Sequence, residues 1–155
     1  MRFTIVLDNL VDFIIWLASR RASLSGARRT MMVIREADVN FIETPGANAT
    51  AGIATSSRGA EDVSIIRQRQ QPGGGNPAHF HDRQEVLLVL DGSVAVTMDG
   101  ETVTLRTGDT LIVPAKTAHQ LANTGETEAE WLLVAPAGIG FFHANGERAE
   151  PAWAR

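Results

Sequence analysis

Three of the four histidines in this chain, together with one glutamate, lie in two short patches with the residue types of a metal site. The patches read Gly73-x5-His79-x-His81-x3-Glu85-x6-Gly92 and Gly108-x5-Pro114-x4-His119-x3-Asn123. Imidazole nitrogens and carboxylate oxygens that converge from separate pieces of backbone are typical ligands of divalent transition metals. The sequence therefore predicts a metal-centred pocket.

The spacing of these residues indicates how they meet. His79 and His81 are two apart on a predicted strand, so their side chains point to one face of a sheet. Glu85 begins the next strand after a short turn, and His119 must arrive from another part of the sheet. A closed barrel brings such strands together around one interior point. The predicted cofactor is a divalent transition metal (Fe, Mn, Ni or Zn), because imidazole and carboxylate ligands suit these ions.

The elements that position these residues are short β-type runs separated by turns. Asp91-Gly92 and Asp99-Gly100 lie between apolar runs and are strong hairpin signals. The spacing of the runs predicts an all-β sandwich or barrel. The predicted strands are Val63–Gln70, Ala78–His81, Glu85–Leu90, Ser93–Met98, Thr102–Arg106, Thr110–Val113, His119–Ala122 and Glu130–Ala135.

We divide the chain into four segments around one domain. Residues 1–31 form an amphipathic helical extension, and residues 32–60 an irregular lead-in with one possible strand near Val39–Glu43. Residues 61–136 form the barrel. Residues 137–155 form an irregular tail whose aromatic residues cover the barrel mouth or an apolar edge; these are Phe141, Phe142 and Trp153.

The N-terminal extension has three interpretations, all left open. In the first, translation starts at Met31 or Met32, and the preceding residues are not part of the protein. In the second, a helix packs on the domain or on a partner subunit. In the third, an amphipathic helix lies on a membrane surface. Asp8 and Asp12, within a short apolar run, argue against a transmembrane span.

Other residues in and near the patches have predicted structural or binding roles. Gly92 and Gly108 are in turns that favour a positive φ, Pro114 ends a strand, and Asn123 is a turn or hydrogen-bonding residue. The run that starts at Gly73 is a flexible turn bordering the pocket.

Two further predictions concern a pair of arginines on one strand and one histidine in the tail. Arg67 and Arg69 share one face of their strand, where they either bind a substrate carboxylate or phosphate or form an outward solvated pair; His143 is a surface residue.

The two patches resemble the two sequence motifs of the cupin superfamily, over about fifty residues from Gly73 to Asn123. One motif position differs, because Lys116 stands where the family usually has glycine. The resemblance implies an antiparallel jelly-roll barrel of six to eight strands, often as a homodimer. It also implies a metal held by His79, His81, Glu85 and His119.

Composition narrows the function without identifying a substrate. The net charge of −4 lacks the basic character of a nucleic-acid binder, and the absence of cysteine agrees with a reducing, cytoplasmic compartment. We expect a small-molecule ligand. One hypothesis is a metal-dependent enzyme with dioxygenase-like or isomerase-like chemistry. The other is a non-catalytic module that binds or senses a metal or a small molecule.

Overall fold

The computed structural model describes residues 31–151, and this part of the chain contains two antiparallel β-sheets. The first sheet has the strand order β1-β2-β3-β10-β5-β8, and the second has the order β12-β11-β4-β9-β6-β7. Two 3-10 turns, Glu36–Asp38 and Ser56–Arg58, precede β3. The strands are β1 Ile42–Thr44, β2 Asn48–Ala54, β3 Val63–Gln70, β4 His79–His81, β5 Glu85–Asp91, β6 Ser93–Met98, β7 Glu101–Arg106, β8 Thr110–Val113, β9 His119–Ala122, β10 Ala129–Pro136, β11 Phe141–His143 and β12 Arg148–Ala149.

The interior faces of the two sheets form one hydrophobic core. Alternate residues of β10 are buried from Ala129 to Ala135, and β3 alternates in the same way from Ser64 to Gln70. This period of two is expected of strands with one face against a core. The core cluster consists of Ile66, Leu87, Val89, Val94, Val96, Leu105, Leu121, Ala129, Trp131 and Leu133. The predicted all-β class is confirmed, and a jelly-roll barrel fits these sheets. The predicted N-terminal helix lies outside the described residues.

The lead-in and the tail contain more strands than the sequence indicated. β1 overlaps the possible strand near Val39–Glu43, whereas β2 lies in a segment expected to be irregular, and both strands pair within the first sheet. Most residues of β2 are small or polar, so they show no apolar alternation, and pairing with β3 gives the segment its extended form. The tail also contains β11, which pairs with β4, and β12. The segment boundaries as a whole stay a prediction.

The turn residues adopt the backbone angles that their positions require. Gly92 has a φ of 72° between β5 and β6, and a Cβ there would lie 2.8 Å from the carbonyl oxygen of Glu128. Gly108 has a φ of 90° before β8, and Pro114 follows the end of β8. Lys116 has a φ of 63°, the left-handed conformation that glycine adopts most easily.

No helix within residues 31–151 is long and apolar enough to span a membrane.

Candidate metal centre

Four side chains from three strands meet between the two sheets. His79 and His81 lie on β4 of the second sheet, and His119 lies on β9 directly opposite His79 in the strand register. Glu85 is the first residue of β5 in the first sheet, so its carboxylate approaches the histidines from across the interior. His81, Glu85 and His119 are 2%, 2% and 3% exposed, and His79 is half-buried.

The distances within this cluster are short. One ring nitrogen from each of the three histidines lies within 4.8 Å of the others. The Nε2 atom of His119 is 2.9 Å from Oε1 of Glu85, and the Nε2 atom of His81 is 3.3 Å from Oε2. The ring of His79 lies 4.4 Å from that of His119 and 5.1 Å from that of His81, between centroids. Three histidines in this arrangement could bind a metal ion.

Backbone carbonyls fix the orientation of all three imidazoles. The Nδ1 atoms of His79, His81 and His119 lie 2.9, 3.2 and 3.0 Å from the carbonyl oxygens of Pro77, Gly140 and Thr117. A carbonyl oxygen only accepts hydrogen bonds, so each Nδ1 carries the hydrogen. In a neutral imidazole the Nε2 lone pair is then available to a metal, as in metal sites whose outer partners hold the histidine tautomer.

The protonation of the cluster depends on burial and on Glu85. Burial, and after it the neighbouring His119, lower the pKa of His79 to about 4. Burial also lowers the pKa of His81, against the opposing effect of Glu85. At His119 burial again favours the neutral ring, but the Glu85 carboxylate and the Thr117 carbonyl outweigh it, so the pKa is raised. At neutral pH His79 and His81 are therefore neutral, the form that binds metals.

Two atoms of the cluster lack the hydrogen bonds that buried polar atoms normally make. Among the described residues, His81 Nε2 and Glu85 Oε1 are buried without a hydrogen-bond partner. Glu85 Oε1 lies 2.9 Å from Nε2 of His119, but in the neutral ring that nitrogen carries no hydrogen, because the Nδ1–H faces the Thr117 carbonyl. Native proteins rarely leave such atoms unsatisfied. A nitrogen lone pair and a carboxylate oxygen that face one interior point fit a bound cation.

A cavity of about 250 Å³ opens onto the histidines. His79 and His119 form part of its wall, whereas the buried His81 and Glu85 are not among the described residues that line it. The ring of Phe141 packs edge-on against His81, with centroids 4.3 Å apart. The remaining lining residues that the structure describes are Thr44, Pro45, Asn48, Thr50, Gln68, Asn76, Pro77, Leu121, Leu133, Phe141, Phe142, His143, Ala149 and Pro151. A ring-sized organic molecule fits this volume.

Two residues of the tail, Gly140 and His143, lie at this site, although the sequence analysis gave them no part in it. The carbonyl of Gly140 orients His81, and its amide N–H donates to the Asp82 carboxylate at 2.7 Å. His143 is exposed at the cavity wall and lies opposite His79 in the β11–β4 register. The only available signal was the glycine pair before Phe141, which indicates a turn but no function.

Arg67 and Arg69 lie on the outer face of β3, away from the cavity. Both donate to the Glu130 carboxylate at 2.7 Å, and Arg67 also pairs with Glu36. Of the two arrangements that the sequence left open for these arginines, the outward-facing pair matches this geometry. Neither arginine is among the described residues that line the cavity with His79.

Asn123 is a structural hydrogen-bonding residue. It is 1% exposed, and its Nδ2 atom donates to the carbonyls of Gln70 and Thr127, each at 2.8 Å. The turn at Gly73 is joined to the end of β9 through the Asn123 carbonyl. This turn leads directly into Asn76 and Pro77, which border the cavity.

Comparison with known proteins identifies the family. The model of the cupin domain family matches residues 66–135, which span β3 to β10 and contain all four residues of the cluster. This part of the chain therefore matches the cupin domain, in agreement with the resemblance of the two sequence motifs.

Several relatives share parts of this domain. Oxalate oxidase GF-3.8 of Triticum aestivum is 32% identical over 105 residues, covering 62% of this chain and 42% of the relative. Gentisate 1,2 dioxygenase 1 of Aquipseudomonas alcaligenes is 29% identical over 106 residues, covering 66% of this chain and 29% of the relative. The chain thus spans less than half the length of either protein.

Solved structures show the same fold. The polyketide cyclase RemF from Streptomyces resistomycificus superposes with a TM-score of 0.64 at 22% identity, covering 71% of this chain and 82% of that one. A recombinant oxalate oxidase in complex with glycolate gives a TM-score of 0.60 at 25% identity, covering 76% and 66%.

Proposed function

We propose that this cupin holds a divalent transition metal through His79, His81, Glu85 and His119, and that it binds a small organic molecule at that metal. The observation that carries the proposal is the convergence of three oriented imidazoles and one carboxylate, with two buried atoms left without partners. Three neutral imidazoles and a carboxylate suit Fe, Mn, Ni or Zn. With a divalent ion the centre has a net charge near +1.

The proposed chemistry is dioxygenase-like or isomerase-like. A bound divalent ion would act as a Lewis acid or bring substrate and dioxygen together. The chain's own residues prepare the site for this. The carbonyls of Pro77, Gly140 and Thr117 hold the imidazoles in place, and the packing of Phe141 on His81 keeps water from the buried side of the cluster.

The relatives are consistent with a catalytic role. Two of them bear the names of enzymes that oxidise organic acids, and a polyketide cyclase has the same fold. This chain covers only part of the oxalate oxidase and of the gentisate dioxygenase. The activities in their names are therefore only candidate activities for this chain.

A second candidate is a non-catalytic module that binds or senses a metal or a small molecule. Among the described residues that line the cavity, none is Asp, Glu, Lys or Arg. Apart from histidine, this wall therefore offers no strongly acidic or basic group for proton transfer. That lining suits recognition as well as it suits catalysis.

Metal content tests the ligand assignment. The untagged protein should contain close to one equivalent of a transition metal by plasma mass spectrometry. His81→Ala should lose it, because a buried ligand is removed from the centre. His143→Ala is the matched control, since it removes an exposed histidine at the cavity wall and should leave the metal content unchanged. Unchanged metal in His81→Ala, with the fold intact by circular dichroism, would refute the assignment.

Turnover separates the two candidate functions. Oxygen consumption by the metal-loaded protein is measured with catechol, a thiol and a keto acid in turn. Metal-dependent consumption that is lost in His81→Ala supports the enzyme. A metal-replete protein that leaves all three compounds unchanged supports the binding module.

The homodimer and the cytoplasmic location expected from the sequence also belong to this proposal. Val63 and Ile112 are 45% and 56% exposed on the outer face of the first sheet, which supports an apolar contact between copies. Light scattering at several protein concentrations measures the assembly, and a monomer throughout would argue against the dimer.

A further inference from the structure

We propose that Gln68 is a ligand-binding residue of the cavity, and that its side-chain N–H donates to an oxygen of the bound molecule. The inference rests on the proposed function, because it takes the same cavity as the place of binding. Gln68 lies on β3 in the sheet that faces the histidines, 7% exposed and part of the cavity wall. Its side-chain hydrogen bonds within the described residues go to Thr50 and Trp131, and none goes to a candidate metal ligand.

A row of three paired residues sets the orientation of the Gln68 carboxamide. Thr50, Gln68 and Trp131 are register partners across β2, β3 and β10, and alternation puts all three on the interior face. The indole Nε1–H of Trp131 donates to Gln68 Oε1 at 3.1 Å, and Gln68 Nε2 donates to Thr50 Oγ1 at 3.1 Å. An indole N–H can only donate. The Gln68 oxygen must therefore face Trp131, so the amide cannot turn over without losing this bond.

The second hydrogen on Gln68 Nε2 is the group left for a ligand. A carboxamide nitrogen carries two hydrogens. One is used by Thr50, and the hydrogen bonds found among the described residues do not use the other. The oxygen of the same amide is already occupied by Trp131. At this position the wall presents a donor rather than an acceptor.

Asn48, on the neighbouring strand, has the same polarity. Its Nδ2 atom donates to the Pro45 carbonyl at 2.7 Å, which fixes the amide, and its Oδ1 atom accepts from Gln70 Nε2 at 2.6 Å. Asn48 also lines the cavity. Both amide oxygens are thus used inside the wall, and the nitrogens keep the spare hydrogens.

This polarity defines the chemical class of the ligand. A molecule that accepts a hydrogen bond from the free N–H of Gln68 must present an acceptor oxygen, such as a carbonyl, carboxylate or hydroxyl oxygen. Its other end faces His79 and His119. The cavity of about 250 Å³ and its phenylalanine and proline walls accept a carbon skeleton up to the size of a ring. The inferred ligand is an oxygenated organic molecule with oxygen functions at two ends.

Nuclear magnetic resonance on the full chain tests the donor directly. The protein is labelled with ¹⁵N, loaded with diamagnetic Zn²⁺, and titrated separately with glycolate, catechol and 2-oxobutyrate. The side-chain NH₂ signals of Gln68, assigned by their loss in Gln68→Met, should shift with at least one probe. Those of Gln120, exposed on the outer face of β9, should not. A Gln68 signal that stays in place with all three probes would overturn the proposal.

Affinity provides a second readout. Gln68→Met removes the donor and should weaken binding of the responding probe three- to tenfold, as expected for one neutral hydrogen bond. Gln68→Glu keeps the shape but turns an acceptor towards the probe oxygen, so it should weaken binding further. Gln120→Glu adds the same charge outside the cavity and should leave affinity unchanged. Equal affinity in wild type, Gln68→Met and Gln68→Glu would contradict the assignment.

The outcomes distinguish this inference from the proposed function. If the protein retains no metal but the Gln68 signals still shift with a probe, the proposed metal centre is refuted and the role of Gln68 as a donor to the ligand is supported. If the metal is retained and the probes leave Gln68 unaffected, the metal centre stands and the donor fails.

Discussion

At the residue scale, Lys116 is a position where one substitution should stabilise the protein. Its φ of 63° is left-handed, which costs a residue with a Cβ about 1–2 kcal/mol. Lys116→Gly removes that strain but adds unfolded-state entropy worth about 0.4–1 kcal/mol. We expect a net gain of about 0.5–1 kcal/mol in the free energy of unfolding, measured in urea.

The control for this prediction is Lys116→Ala, which removes the same side chain but keeps the Cβ. The backbone N–H of residue 116 donates to the carbonyl of His81 at 2.7 Å, and neither substitution removes this N–H, so both variants should keep the turn next to the candidate metal centre. A glycine variant no more stable than the alanine variant would show that the turn carries no strain.

The sequence predicted the convergence of the three histidines and Glu85 better than it predicted the groups that orient them. The four cluster residues differ chemically from their neighbours, and two of them, His79 and His81, have a spacing that fixes a shared face. The carbonyl that orients His81 belongs to Gly140, which is 59 residues away. Every residue carries a carbonyl, so no residue type reveals this role. Only the pairing of β11 with β4 brings the tail to the site.

At the scale of elements, Asn123 joins the end of β9 to two other segments. Its side chain makes three hydrogen bonds, to Gln70 O, to Thr127 O and from the amide N–H of Gly125. Asn123→Ala removes all three in a buried place. Each hydrogen bond contributes about 0.5–1.5 kcal/mol, so we expect the free energy of unfolding to fall by about 2–4 kcal/mol. Urea denaturation measures this loss.

Asn145→Ala is the matched control for this substitution. Asn145 is exposed in the turn after β11, and its side chain accepts one hydrogen bond, from the Glu147 amide. Loss of this one exposed hydrogen bond should lower the free energy of unfolding by less than about 1 kcal/mol. Similar losses in the two variants would mean that Asn123 does not connect the segments as we describe.

Strands could be predicted where the sequence carries the pattern of a half-buried surface. The predicted bounds of β3, β6, β8 and β9 agree with the structure, because each strand alternates or is strongly apolar and is followed by turn residues. The segment Asn48–Ala54 has small side chains that bury little apolar area. Its extended form depends on a neighbouring strand, which a local pattern does not show.

At the scale of the whole molecule, the polar cluster on the outer face of the first sheet should make stability depend on pH. Burial alone would raise the pKa of Glu130, but hydrogen bonds from Arg69 and Arg67 and their positive charges outweigh it, so the pKa is lowered from 4.5. Glu130 is 15% exposed, and the arginines are 33% and 19% exposed. The carboxylate form is therefore favoured by folding.

The direction of the pH effect follows from linkage. A carboxyl group with a lower pKa in the folded state adds stability above its unfolded pKa, and this stability is lost as the pH falls through the folded pKa. Glu130→Gln should cost about 1–2 kcal/mol at pH 7, a value reduced by the partial exposure of the cluster. The difference in unfolding free energy between wild type and Glu130→Gln should be constant above pH 6. It should shrink as the pH falls through about 4.5, where Glu130 is half protonated in the unfolded chain.

Urea denaturation of both proteins at a series of pH values measures this difference, which cancels the titration of the histidine cluster common to both. Glu126→Gln removes an exposed carboxylate from the loop before β10 and is the control. Its difference from wild type should stay near zero at every pH. If the Glu130→Gln difference instead grew as the pH fell, the carboxylate would be disfavoured in the folded state, and the outer cluster would not be the stabilising contact between β3 and β10 that its geometry indicates.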